Sequence, residues 1–274
     1  MSKLPYLNLG CGATFHNEWT NIDFVSVSPE VKQYNLLKGI PCNNETFEVV
    51  YHSHVLEHFP KKQAVEFIRE CYRVLKPGGI IRIAIPDLEK IILNYVKYLD
   101  ESMKNIPGAK EKYEWTMLEL FDQVVRTSSG GEMLEYIKDT SKKNDDFLLE
   151  RNGYEVKRIM EMFRNETNTA SKPVYSFGAR LKSIPARIKN KMVHILLGKD
   201  YAVLQTAKFR SGGEIHQWMY DRYSLKKMLE DCGFKNPEVK QAFESNIPEW
   251  EKYNLDGKDG IIRKPDSLFM EATK

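Results

Sequence analysis

Cysteine is scarce in this 274-residue chain, and the four present (Cys11, Cys42, Cys71 and Cys232) never form a CxxC pair. That spacing argues against a zinc knuckle and against a disulfide framework. Long hydrophobic runs are also missing, and nothing approaches the roughly 20 apolar residues of a membrane span. The opening MSKLPYLNLG has no apolar core of the secretory kind, so a cytoplasmic setting is expected. A strong charge of either sign is absent too: the net charge is +3, too small to argue for nucleic acid. Acidic residues do thin out locally. Between positions 171 and 210 nine Lys or Arg (Lys172, Arg180, Lys182, Arg187, Lys189, Lys191, Lys199, Lys208 and Arg210) face one acid, Asp200.

What is present reads as a soluble globular balance, 42% hydrophobic and 29% charged, enough for a full core. The first 86 residues look like strands separated by turns. Leu4–Leu9, Trp19–Phe24, a weaker Val31–Leu36 and the β-branched Phe47–His52 come first. A helix is expected from Pro60, with Ala64, Phe67, Ile68, Cys71 and Leu75 on one face and a stop at Lys76-Pro77-Gly78-Gly79. Ile80–Ile85 is the clearest strand. Strands alternating with helices imply a parallel sheet. From Asp87 to about Arg210 strand signals fade and helical spacing takes over. Leu88–Leu99, Met117–Val125, Met133–Ile137, Phe147–Phe163 and Ala186–Leu197 are the helical segments, with irregular stretches at Asn105–Gly108 and Asn165–Pro173. The α/β pattern then returns. Ser224 is a candidate cap for a helix closed by Gly233, and Glu238–Phe243 and Ser267–Thr273 are candidate last strands.

The segment LNLGCGATFHNEWTNIDF, Leu7 to Phe24, carries the sharpest chemical signal. Glycines after a first strand let a ligand approach bare backbone, and a carboxylate ending the next strand can accept from both hydroxyls of a ribose. Gly10, Gly12 and Asp23 therefore suit a nucleoside. A dinucleotide fingerprint would need a third glycine at position 15, which is Phe15, and an acid about 20 residues on. Asp23 comes too early, which disfavours a nicotinamide-dependent oxidoreductase.

Several blocks in order resemble class I S-adenosylmethionine-dependent methyltransferases: LNLGCG, NIDF, NETFEVVYHSHVLEHF, ECYRVLKPGGIIRIAIPD and MYDRYSLKKMLEDCGF. The tail RKPDSLFMEATK and the HQWMYDRYSL block are similar to a bacterial subgroup associated with cell-surface polysaccharide loci. The resemblance implies an α/β fold: a Rossmann-like, mostly parallel sheet of seven strands, the last antiparallel, with a large helical insertion after the fifth. Residues 1–86 and 211–274 would form the core and 87–210 an acceptor-binding lid. It also implies roles. Gly10, Cys11 and Gly12 would lie against the methionine part of S-adenosylmethionine, and Asp23 would bind its ribose. Phe24, Asn35 and Leu36 would meet the adenine, with Ser53 and His54 beside the sulfonium. Thr14 stands where relatives have a third glycine. The first two crossovers are shorter than the dozen residues parallel strands normally need, so the insertion or a second subunit is expected to cover one sheet face.

A hydroxyl acceptor would benefit from a general base. His216, Asp87 and His58 are the candidates, with Glu214 weaker; a capping role competes for Asp87, and a capping or packing role for His58. The run His52-x-His54-x-x-x-His58 is read as part of the family block, with no metal expected. Trp218 and Tyr220 could stack on a sugar or serve the core. The expected partner is a small-molecule or glycan acceptor. The basic stretch is read first as a solvated face, second as an anionic-lipid contact, and a homodimer is the oligomer considered. A non-catalytic cofactor-binding or interaction protein is the third reading of the chain.

Overall fold

The computed structural model describes residues 3–142, 144–164 and 193–274. A seven-stranded sheet organises the chain. Its strands are β1 (Tyr6–Leu9), β2 (Thr20–Asp23), β3 (Val31–Gln33), β4 (Phe47–Ser53), β5 (Leu75–Pro86), β6 (Lys235–Lys240) and β9 (Ser267–Thr273). The order is β3-β2-β1-β4-β5-β9-β6. Neighbours from β3 to β5 run parallel, and β9 is antiparallel to both β5 and β6. This is the Rossmann-like methyltransferase sheet the sequence blocks implied.

Alternation along the strands divides two faces. Leu7, Leu9, Val50, Ile81, Ile83 and Ile85 pack with α1 (Lys61–Val74) and with α7 (Arg222–Asp231), through Phe67, Ile68, Leu225 and Leu229. Strand β5 starts earlier than its sequence suggests. Leu75 pairs with Phe47, then the register jumps to Val49–Ile80, so Lys76–Gly79 bulges out instead of separating helix from strand. The cap of α7 is Asp221, whose side chain accepts from Ser224 N at 2.7 Å; Ser224 is the reciprocal partner of a capping box. It is not the cap itself, because the helix begins three residues earlier than its apolar spacing indicates.

The second face holds Tyr6, Trp19, Val49 and Tyr51. β1 passes to β2 and β2 to β3 without a helix, as their short connections require. The expected cover, insertion or second subunit, is not what lies there. Ile247, Trp250, Tyr253 and Leu255, from the connection between β6 and β9, close over these side chains. Trp19 packs edge-on against Tyr6 and Tyr253, at 5.1 and 5.0 Å between ring centroids. The same connection carries a two-residue-per-strand hairpin, β7 (Gly257–Lys258) and β8 (Ile261–Ile262), too short to leave a periodic trace in the sequence.

Arg82 enters this face as a fully buried guanidinium. It donates to Asp256 at 2.8 Å, to Glu271 at 2.7 Å and to the carbonyls of Gln241, Ala242 and Glu244. Tyr51 donates to the other oxygen of Asp256 at 2.6 Å. All of the arginine's donor groups are thereby used, the condition under which a buried charge is tolerated.

Between β5 and α7 the described chain is helical: α2 (Leu88–Met103), α3 (Ala109–Val125), α4 (Gly131–Lys138), α5 (Asp145–Arg164) and α6 (Asp200–Arg210). Trp115, Tyr136, Ile137, Leu148 and Val156 give α3–α5 a small core of their own. Gly153 kinks α5 at φ +62°, where a Cβ would meet Pro265 and the carbonyls of Ile262 and Arg263. The expected irregular stretch Asn165–Pro173, most of the Ala186–Leu197 helix and six of the nine basic residues of 171–210 lie outside the described residues. No described helix is long and apolar enough to cross a membrane.

Candidate active site

A cleft of about 530 Å³ opens at the carboxyl ends of β1, β2 and β4, within the size range of small-molecule sites. Gly10 forms its floor at φ +62°. A Cβ there would lie 2.3 Å from Val55 Cγ2, so only glycine leaves both the backbone turn and the space intact. Gly12 also has positive φ, and its N–H donates to Asp23 Oδ2 at 2.8 Å. The other oxygen of Asp23 accepts from Val25 N at 2.9 Å. Two backbone donors thus hold the carboxylate at the cleft while each oxygen keeps a free lone pair.

The neighbouring wall comes from the turn after β3. Asn35 caps it, accepting from Leu37 N at 3.0 Å. Asn35 and Leu36 line the cleft, with Phe24 exposed at its lip. Thr14, at the missing-glycine position, is held from two sides. Its carbonyl accepts from Asn8 at 3.1 Å, and its hydroxyl meets the Arg263 guanidinium. Cys11, Gly12, Ser53, Asp87 and His216 do not line the cleft. Burial and the charge of Asp23 push the Cys11 thiol up to about 12.

The opposite wall is imidazole-rich. His54 follows β4 at φ +54°, a left-handed conformation uncommon for residues other than glycine. Its Nε2 lies 2.8 Å from Ser267 Oγ and its Nδ1 3.2 Å from Glu57 Oε1. His58 pairs its Nδ1 with the Ile215 carbonyl at 3.1 Å and stands edge-on to the His216 ring, 5.0 Å between centroids. Main-chain bonds bring His216 here: its N–H donates to Gln123 O of α3, and Gln217 N donates to Glu57 O at 2.7 Å. Burial disfavours charge throughout this cluster. It lowers the pKa of His54, His58 and His216 and pushes Glu57 up to about 8.

Of the three candidate bases, His58 reaches the cleft and His216 backs it. Asp87 caps α2, accepting from Lys90 N at 3.2 Å. Trp218 is exposed with Lys61 over its ring, whereas Tyr220 is a core side chain. Sequence reasoning passed over Glu57, Tyr34, Val55 and Ser211–Gly213. For Glu57 the available signal was its place three residues after His54 and next to His58.

Residues 7–83 match the family model described as a methyltransferase domain. That span contains the glycine turn, Asp23, Asn35 and the His54–His58 run. Over this segment the chain resembles a methyltransferase domain. The cleft has features that would suit S-adenosylmethionine: bare backbone at Gly10, a carboxylate with free lone pairs at Asp23 and an apolar wall at Leu36. Among solved structures, the chain is similar to an S-adenosylmethionine-dependent methyltransferase from Archaeoglobus fulgidus (12% identity, 100% of this chain and 86% of that one, TM-score 0.37). It is also similar to a possible histamine N-methyltransferase from Thermotoga maritima (10% identity, 100% and 84%, TM-score 0.38). A methyltransferase from Mesorhizobium loti aligns over 31% of this chain and 48% of its own, at 17% identity and TM-score 0.26. The aligned part likewise spans only 39% of the [4+2]-cyclase SpnF, at 21% identity and TM-score 0.25. Likenesses this remote carry no argument about chemistry. No curated protein matches the sequence significantly.

Proposed function

We propose that the chain is an S-adenosylmethionine-dependent methyltransferase that methylates an oxygen of a sugar, a glycan or another small polar acceptor. The observation that carries the reading is that Gly10 and Asp23, side by side at the ends of paired strands, line one cleft. Gly10, with Cys11 and Gly12 behind it, would hold the methionine part of the cofactor. Asp23 would take the ribose hydroxyls, and Phe24, Asn35 and Leu36 the adenine, with Ser53 and His54 nearest the sulfur. The cofactor supplies a methyl group on a positively charged sulfur. Charge disperses during such a displacement, so alignment provides much of the rate. The chain's own task is to hold an acceptor oxygen in line and to take its proton.

The polar wall supports a hydroxyl acceptor. His58 is the proposed base, supported by its place at the cleft and by the Ile215 carbonyl that fixes its ring. Glu214, which accepts from Gly130 N, lies on the same wall and could receive acceptor hydroxyls. A glycan acceptor fits the resemblance to the polysaccharide-associated subgroup. An acceptor carried on anionic lipid would also engage the basic stretch, giving salt-sensitive sedimentation with anionic vesicles.

Calorimetry with S-adenosylhomocysteine and with NADH tests the reading. The former is expected to bind and the latter not. Asp23→Ala should weaken S-adenosylhomocysteine by about 1–3 kcal/mol through lost hydrogen bonds. An unchanged affinity, or tight NADH binding, would sink the assignment. A screen of nucleotide sugars and glycans for methyl uptake then identifies the acceptor.

A further inference from the structure

The turn Leu56–His58 buries a carboxylate where nothing satisfies it. Glu57 is fully buried, and among the described residues neither of its oxygens has a hydrogen-bond partner. The close approach of His54 Nδ1 is not aligned as a hydrogen bond. Buried polar groups nearly always find partners, so an unmet carboxylate asks for an occupant.

Its surroundings say which kind. One ligating atom from each of Glu57, His58 and His216 lies within 4.8 Å of the others. A carbonyl can only accept, so the Ile215 contact requires the proton on His58 Nδ1 and leaves Nε2 with its lone pair free. Metal-bound imidazoles are commonly held in this way, by a backbone carbonyl on the far nitrogen. His216 is 3% exposed, and its Nδ1 has no partner among the described residues, while its Nε2 lies 4.0 Å from Glu57 Oε1. Its position is fixed through the backbone on both sides, by Gln123 O and Glu57 O.

We infer that Glu57, His58 and His216 form a binding site for a divalent transition-metal ion at the inner wall of the cleft, with His54 at its edge. Two imidazoles and one carboxylate suit Zn²⁺ and its late first-row neighbours better than Mg²⁺ or Ca²⁺, which prefer all-oxygen ligands. Bonds of about 2 Å hold ligating atoms roughly 3–4 Å apart, so side-chain rotation of about an ångström closes the cluster. Three protein ligands leave a coordination position open, the arrangement of catalytic sites as opposed to closed structural ones. Because His58 also lines the cleft, an acceptor oxygen can reach that position. A hydroxyl coordinated there releases its proton to water more readily. This last step rests on the methyltransferase reading and moves acceptor activation from His58, acting as base, to the ion. The site itself does not depend on that reading.

The test uses the full-length chain, stripped with chelator and titrated with Co²⁺ without cofactor. One equivalent is expected to produce a visible ligand-field band that Zn²⁺ abolishes. By calorimetry, Glu57→Gln and His216→Ala are each expected to weaken Zn²⁺ by at least about tenfold. His58→Gln, at a half-buried position, serves as a third variant should either of the others fail to fold by circular dichroism. Absence of a saturable band in the wild type overturns the inference, and so does wild-type Zn²⁺ affinity in any folded variant. Calorimetry with S-adenosylhomocysteine on the same samples separates the two readings. Cofactor binding without the cobalt band removes the metal and keeps the methyltransferase; the band without cofactor binding does the reverse.

Discussion

Gly10 and Gly12 share a left-handed backbone but answer to different demands. Nothing lies within 4 Å of a Cβ built on Gly12, whereas one on Gly10 would drive into Val55. Gly12→Ala should therefore cost only the backbone penalty, about 1–2 kcal/mol. Gly10→Ala adds a steric clash and should cost more in urea unfolding, while weakening S-adenosylhomocysteine by at least about tenfold in calorimetry. Cys11, between them, has its thiol held mostly protonated by burial and by Asp23. With its pKa raised, the thiolate fraction is small at neutral pH and grows as pH rises. Iodoacetamide should therefore label Cys11 slowly at pH 7.5 and faster at pH 9.5, read by peptide mass spectrometry. That Gly10 and Asp23 come to one cleft was legible, because a glycine turn after one strand and an acid ending the next stand out in the sequence. Glu57 was not legible. In sequence it is one acid in a polar run, and only burial by the distant Ile215–Gln217 segment gives it meaning.

Helices and strands with a periodic face could be placed within a few residues. α1, α2 and the inner strands owe their existence to apolar spacing that the sequence displays openly. Their ends depend on side-chain chemistry with less contrast. For α7 the cap is Asp221, and Asp221→Ala should destabilise the chain by about 1 kcal/mol in thermal or urea unfolding. Ser224→Ala, which removes the reciprocal half of the box, should cost less. The Lys76–Gly79 bulge shows a different limit. Proline and glycine announce a break, but the strand resumes its pairing on both sides because Leu75 reaches β4 at Phe47. The hairpin β7–β8 and the turn Trp250–Tyr253 had no pattern to read. Their place is set by partners more than 200 residues earlier, Tyr51 for Asp256 above all.

At the scale of the whole molecule, the sheet has one face covered by helices and one by an irregular, aromatic strap. The strap is locked by Arg82, so the two should fail together. Arg82→Met strands Asp256 and Glu271 as buried carboxylates without their cation and should cost about 3–5 kcal/mol. Trp250→Ala opens a cavity over Tyr51 and Trp19, with a loss of similar size, about 3–5 kcal/mol. Chemical denaturation of each variant measures both. The expectation that the insertion would cover this face came from counting crossover residues, which shows that a cover is missing without saying which part of the chain provides it.

The strap also sets the tempo of folding. Tyr6, Trp19 and Tyr51 belong to the first fifth of the polypeptide, but the rings that shield them arrive almost 200 residues later. Until then a growing chain carries a sticky aromatic plate facing water. Closing so large a loop is entropically slow, and the half-made sheet is the species most prone to clump during refolding.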